Sequence, residues 1–234
     1  MASGLDRETR GGRRPGRGRL VVKSAVVLVS GRGSNLRAIA AANTGIDIRA
    51  VISNRPDAAA LAWSREQGLA TKVVDHKAFP SREAFDERLA EEIAESGAEL
   101  VLLAGFMRIF SPGFIERFTN RIVNIHPSLL PSFPGLHTHR QALAAGVKVH
   151  GCTVHVVTPT LDAGPIIAQA AVPVLAEDTE ETLAARVLAQ EHRLYPQVLR
   201  WFAQGRIEFG ADGRVHVRET GMAGDSLLAP RDPS

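Results

Sequence analysis

The chain has 234 residues, 44% of them hydrophobic, and a formal net charge of +3, so it suits one large domain or two small ones with a proper core. Six arginines against Asp6 and Glu8 give the first 20 residues a net of +4, which leaves −1 for the rest; the basicity belongs to the tail, and a nucleic-acid partner is disfavoured. The single cysteine, Cys152, excludes an internal disulfide. No apolar run nears the roughly 20 residues of a membrane span, and the first 20 residues hold no apolar segment of the roughly 7 to 15 residues a signal peptide needs, so a reducing, cytoplasmic setting is expected.

Residues 1 to 20, rich in Gly and Arg, are predicted to be a disordered extension. From Leu20 apolar runs alternate with helical patterns. Strands are predicted at Ala25 to Ser30, Ile48 to Ser53, Thr71 to Val74, Leu100 to Ala104 and Arg121 to Ile125. Helices are predicted at Asn35 to Ala42, at Ala58 to Gln67, at Arg82 to Ser96 with Ser81 as N-cap, and at Pro112 to Phe118 opening at Ser111. Val-, Ile- and Leu-rich strands separated by helices specify a doubly wound α/β fold, a mostly parallel sheet covered on both faces. After residue 145 the rhythm changes. Val149 to Thr158 and Pro165 to Val174 have only the Leu161-Asp162-Ala163-Gly164 turn between them, so the sheet is extended there by antiparallel strands. A long helix, Thr179 to Phe202, follows. Residues 21–206 are expected to form the main domain, its two halves meeting near residue 120, and residues 207–234 a small hairpin around Asp212-Gly213 and a loose tail.

The stretch "SGRGSNL", Ser30 to Leu36, joins the first strand to the first helix, where backbone N–H groups and a positive helix end can hold a phosphate. Gly31 and Gly33 permit a tight turn, Ser34 and Asn35 can donate, and Arg32 adds charge. No Gly-Lys-Ser/Thr follows, so this is not a Walker A loop. Leu36 stands where a dinucleotide fingerprint needs its third glycine; only Arg55, facing a 2′-phosphate, keeps an NADP reading open.

"RIVNIHPSLLPSFPG", residues 121 to 135, puts polar side chains at the end of a buried strand. Strand alternation places Ile122, Asn124 and His126 on one face, and Pro127 keeps His126 extended at the carboxyl edge, where open α/β sheets bind ligands. An amide and an imidazole aimed at one point can stabilise an oxyanion and shuttle a proton, the needs of acyl transfer. There is no Gly-x-Ser-x-Gly elbow, and Cys152 sits inside an apolar strand, which favours direct attack of one substrate on another. Asp162, in its Gly-flanked turn, is the leading carboxylate to sit beside the imidazole, although spacing leaves open that it is merely solvated. His126, His137, His139, His150 and His155 crowd one region and suggest a metal, but no Cys pair or HExxH accompanies them, and no metal is expected.

Taken together, "VVLVSGRGSNL", "LAGFMRIF", "NIHPSLLPSFPGLHTHRQAL", "GCTVHVVTPTLDAGPII" and "RVLAQEHRLYP" resemble the phosphoribosylglycinamide formyltransferase family from about Val26 to about Phe202. The resemblance implies formyl transfer from (6R)-10-formyltetrahydrofolate, as co-substrate and without a metal, to the amine of 5-phosphoribosylglycinamide in purine (IMP) biosynthesis. It implies that Asn124, His126 and Asp162 are catalytic, that Gly33, Ser34 and Asn35 hold the substrate phosphate, and that Glu191 contacts the glycinamide. Arg82, Met107, Arg108, Ile109, Phe110 and Asn124 would contact the formylfolate. Arg32 and Phe110 differ from what relatives usually carry. Small-molecule substrates are then the expected partners, with no membrane and no nucleic acid; a homodimer is compatible with the resemblance.

Overall fold

The computed structural model describes residues 21–218. The Arg-rich extension expected at 1–20 and the tail from residue 219 on lie outside the described residues.

Strands β1 (Ser24–Val29), β2 (Asp47–Ser53), β3 (Thr71–Val73), β4 (Leu100–Leu103) and β5 (Ile122–His126) pair in parallel. Strand β6 (Val149–Val156) returns antiparallel to β5, and β7 (Ile166–Pro173) antiparallel to β6. Together they form one seven-stranded sheet in the order β3-β2-β1-β4-β5-β6-β7. The sequence assigns β1 its central place: all six residues are buried, and they alternate between two cores. Val27 and Val29 pack with helices α1 (Ser34–Ala41), α2 (Ala59–Glu66) and α6 (Glu180–Ala203), while Val26 and Leu28 pack with α3 (Arg82–Glu95) and α4 (Pro112–Arg117). A strand apolar on both faces needs cover on both, which is the physical content of the doubly wound fold.

Ser81 and Ser111 cap α3 and α4 by accepting from Ala84 N–H (3.1 Å) and Phe114 N–H (3.4 Å), as predicted. Helix α5 (Thr138–Ala144) follows the proline loop, in which the Leu130–Pro131 peptide is cis. Strands β8 (Ile207–Phe209) and β9 (Val215–Val217) form the expected hairpin around Gly213, and Ile207 is wholly buried in the main core.

The start of α6 is held by charge. Asp178 accepts two bonds from Arg186 (2.6 and 2.8 Å) and one from Leu175 N–H (2.8 Å), which hold its carboxyl well below the usual carboxylate range. A depressed folded pKa contributes stability that is present above the unfolded carboxyl's pKa of about 4 and is lost as pH falls. Arg186→Met is therefore expected to cost about 2 kcal/mol at neutral pH. The gap from the parent protein should narrow as urea unfolding is repeated below pH ~4; a gap that stays constant with pH would show that Arg186 acts by packing alone.

The strand order reverses between β1 and β4, so the loops leaving these two strands diverge and open a crevice at the carboxyl edge. Ser30 spans it. Its N–H donates to Gly105 O (3.2 Å), and its hydroxyl accepts from Met107 N–H (2.9 Å) and donates to Asn54 Oδ1 (2.6 Å).

Candidate active site

Gly33 opens α1 with φ +74°, in the left-handed region that L side chains rarely adopt, and a Cβ there would lie 2.7 Å from the Ala60 Cβ. Glycine is thus required for turn shape and for packing against α2. No side chain caps α1, so the first N–H groups of Ser34 and Asn35 remain for an anion. Arg55, the residue behind the NADP reading, is engaged by Asp57 at 2.7 and 3.1 Å.

From α1 the site continues inward. Asn35 Nδ2 donates to Glu191 Oε2 at 2.7 Å in a buried pair, and Asn35 Oδ1 is buried without a protein partner. Burial pushes the Glu191 carboxyl above its ordinary range, while the Asn35 bond and the neighbouring His126 pull it partly back. The same helix carries Tyr195 one turn on. Its fully buried hydroxyl donates to Val123 O (2.8 Å) and packs against Leu103 O (3.3 Å), tying α6 to the strand that bears the catalytic candidates.

Strand β5 reaches His126, one residue beyond the predicted end, and Asn124 and His126 lie on one face as alternation requires. Asn124 stands opposite His155 on β6, and its Nδ2 donates to His155 Nε2 at 3.2 Å. His155 Nδ1 faces Val156 O at 3.1 Å, which assigns its proton to Nδ1 and leaves Nε2 to accept. Burial holds the His155 pKa down, which agrees with this neutral form. His155 thereby fixes the Asn124 amide and leaves its second N–H for another acceptor. Sequence reasoning met His155 only as one of a crowd of histidines; its position opposite Asn124 depends on a strand register that no local pattern encodes.

His126 is 5% exposed. Its Nε2 donates to Phe133 O at 3.0 Å, and because a carbonyl only accepts, that nitrogen carries a proton. Nδ1 lies 3.6 Å from Asp162 Oδ2, too long for a direct hydrogen bond, and is the nitrogen not committed to Phe133 O. Asp162 also stands 3.9 Å from His155 Nε2, and it accepts Gly135 N–H at 2.8 Å, which joins its turn to the proline loop. Asp162 sits at φ +50°, in a turn that Gly164 makes possible: a Cβ on Gly164 would fall on the Val156 carbonyl oxygen. The aspartate that spacing left ambiguous is thus largely shielded beside two imidazoles.

The loop after β4 divides its residues. Met107 and Ile109 are strongly exposed, as are Leu136 and Leu161 on the two loops joined at Asp162. Phe110 is turned inward and stacks on Phe114 at 4.2 Å, so its ring belongs to the core and only its backbone faces the loop. Arg108 keeps a buried Nε without a protein partner. Arg82, at the start of α3, lies one turn before Asp86, whose carboxylate accepts Ser111 N–H at 2.6 Å and so brings α3 beside this loop.

The remaining histidines have other work. His139 Nδ1 and His150 Nε2 are 3.2 Å apart, and burial lowers the His150 pKa to about 4. Among the described residues no group of three or more His, Cys, Asp or Glu is placed to hold a metal ion. Cys152 is fully buried and its thiol is pushed up to about 12, so it is a packing residue.

An anion loop, a buried amide-carboxylate pair, an imidazole with one nitrogen locked and a carboxylate against it define an acyl-transfer class of site, and residues 23–199 match the family model described as formyl transferase. The chain belongs to that family. It is 53% identical over 187 residues to the phosphoribosylglycinamide formyltransferase of Escherichia coli (strain K12), covering 78% of this chain and 88% of that one. It is 45% identical over 193 residues to the trifunctional purine biosynthetic protein adenosine-3 of Bos taurus, of which it spans 19%. Among solved structures, phosphoribosylglycinamide formyltransferase from Coxiella burnetii superposes with TM-score 0.81 at 45% identity, covering 86% of this chain and 96% of that one. Glycinamide ribonucleotide transformylase 1 from Symbiobacterium toebii gives 0.80 at 47%, covering 89% and 99%. No helix among the described residues is long and apolar enough to cross a membrane.

Proposed function

We propose that this enzyme transfers the formyl group of 10-formyltetrahydrofolate to the amine of 5-phosphoribosylglycinamide. The observation that carries the reading is the convergence of Asn124, His126 and Asp162 at the edge of β5, with an anion loop on one side and exposed apolar side chains on the other. Ser34 and Asn35 hold the phosphate by their N–H groups, and Glu191 meets the glycinamide end. Met107, Ile109, Leu136 and Leu161 offer apolar surface to the folate ring system, with Arg82 and Arg108 near its anionic tail.

The amine nitrogen bonds to the formyl carbon as the carbonyl electron pair moves onto oxygen. The second N–H of Asn124 and the Nδ1–H of His126 stabilise that oxyanion. The nitrogen gives up a proton, N10 of the folate receives one by way of His126, and the bond from carbon to N10 breaks as the carbonyl re-forms. The products are the N-formyl glycinamide and tetrahydrofolate. Asp162 faces Nδ1 across 3.6 Å, where its carboxylate can answer the positive charge the ring carries while it passes the proton.

Tetrahydrofolate release from 10-formyltetrahydrofolate, measured with and without phosphoribosylglycinamide, tests the reading. Release that requires the amine is expected; equal release without it would make the protein a hydrolase. Gly33→Ala is expected to raise KM for the phosphorylated substrate by roughly tenfold or more, since the strained φ and the Ala60 contact must displace the loop, while KM for the folate changes little. An unchanged KM would move the phosphate elsewhere.

A further inference from the structure

Thr153 lies opposite His126 in the β5–β6 ladder, and its side chain is wholly buried. Its hydroxyl uses its full capacity of one donor and two acceptors. It donates to Ser128 O at 2.7 Å and accepts Leu130 N–H at 3.0 Å and the Gln169 amide at 3.0 Å. Gln169 Nε2 also lies 2.9 Å from Leu130 O. The stretch just beyond His126 is therefore fixed from two neighbouring strands.

Further along, the Ser128 hydroxyl donates to Ser132 O at 2.6 Å, and Ser132 N–H to Leu129 O at 3.0 Å, which shapes the turn that delivers Phe133. Phe133 has φ +54°, a conformation that a non-glycine residue keeps only where its surroundings over-determine it. Its carbonyl is the group that accepts His126 Nε2–H. At the far side its ring meets the His150 ring edge-on at 5.9 Å.

We propose that Thr153 is a positioning residue for the transfer step: through Ser128 and Leu130 its hydroxyl sets the Phe133 carbonyl that locks His126 Nε2 and so aims Nδ1 at the reacting carbon. This deepens the formyl-transfer reading and rests on it. The aim of an imidazole decides rate more than binding, because misplacing a reacting group by about 1 Å can cost up to 10²-fold.

The test compares Thr153→Val, which keeps shape and removes the hydroxyl, with Thr153→Ser, which keeps it. Thr153→Val is expected to lower kcat by about 10- to 100-fold with both KM values within about threefold, and Thr153→Ser to stay within about threefold of the parent kcat. In the substrate-free protein the His126 Nε2–H resonance, followed by NMR, should vanish or broaden in Thr153→Val and persist in Thr153→Ser. A Thr153→Val protein with parental kcat and resonance, or an equal loss of kcat in Thr153→Ser, would overturn the proposal. Should Thr153→Val fail to fold, Gln169→Met removes one anchor alone; a weakened resonance with lowered kcat supports the assignment, and an unchanged pair overturns it. The resonance is read without substrates, so a parent protein lacking amine-dependent transfer sinks the functional reading by itself, while a resonance indifferent to Thr153 sinks only this inference.

Discussion

Replacing His126 by alanine is expected to lower kcat by roughly 10²- to 10⁴-fold, the usual worth of positioned acid-base help, with the KM values little changed. The expectation follows from how the ring is divided. Nε2 is committed to Phe133 O, so the ring cannot swap nitrogens, and the histidine nearest to it through Asp162 is committed elsewhere. His155 is engaged by Asn124 and by the Val156 carbonyl, and His139 and His150 face each other. A neighbour therefore cannot take over the proton. Steady-state kinetics with both substrates checks this, and turnover near the parental value would remove His126 from the mechanism.

The second large effect is expected at Asp162, where asparagine should lower kcat by about 10²-fold or more. The side chain is nearly isosteric, and its oxygen can still accept Gly135 N–H at the position now 2.8 Å away. What changes is the charge beside the histidines. The oxygen that holds Gly135 N–H is also the one facing His126 Nδ1, so the amide NH₂ takes the place of Oδ1 beside His155 Nε2, and the negative charge that answers a cationic His126 ring during proton transfer is gone. The loop should keep its shape and the chemistry should fail, a split seen as a large fall in kcat beside a small change in unfolding midpoint. Turnover within about threefold of the parent would mean that Asp162 serves only to shape the turn.

Much of this arrangement was legible in the residues. Strand alternation put Asn124 and His126 on one face, Pro127 marked where the strand gives way, and Ser81 and Ser111 announced their helices, because each signal is local in the chain. What escaped depends on register and on long-range contact. The pairing of His155 with Asn124, the reach of Thr153 to Ser128 and Leu130, and the Tyr195 bond to Val123 O join residues 23 to 72 positions apart, and no period of 2 or 3.6 encodes them. Phe110 is a different case. The resemblance gave it a place in a binding segment, but three phenylalanines at every fourth position, 110, 114 and 118, stack along the inner face of the loop and α4 and draw the ring inward.

Helix α6 carries Glu191 and Tyr195 four residues apart, so one rigid rod sets both the carboxylate beneath the Gly33 turn and the hydroxyl beneath β5. Each residue added to or removed from a helix swings everything beyond it by about 100° and shifts it by about 1.5 Å. A single insertion between the two would leave either Asn35 or Val123 facing the wrong side of the helix. The rod therefore acts as a gauge block of fixed length, and tolerance to insertion and deletion should be lowest along this span and highest at the exposed Ala211 to Arg214 turn, far from either contact.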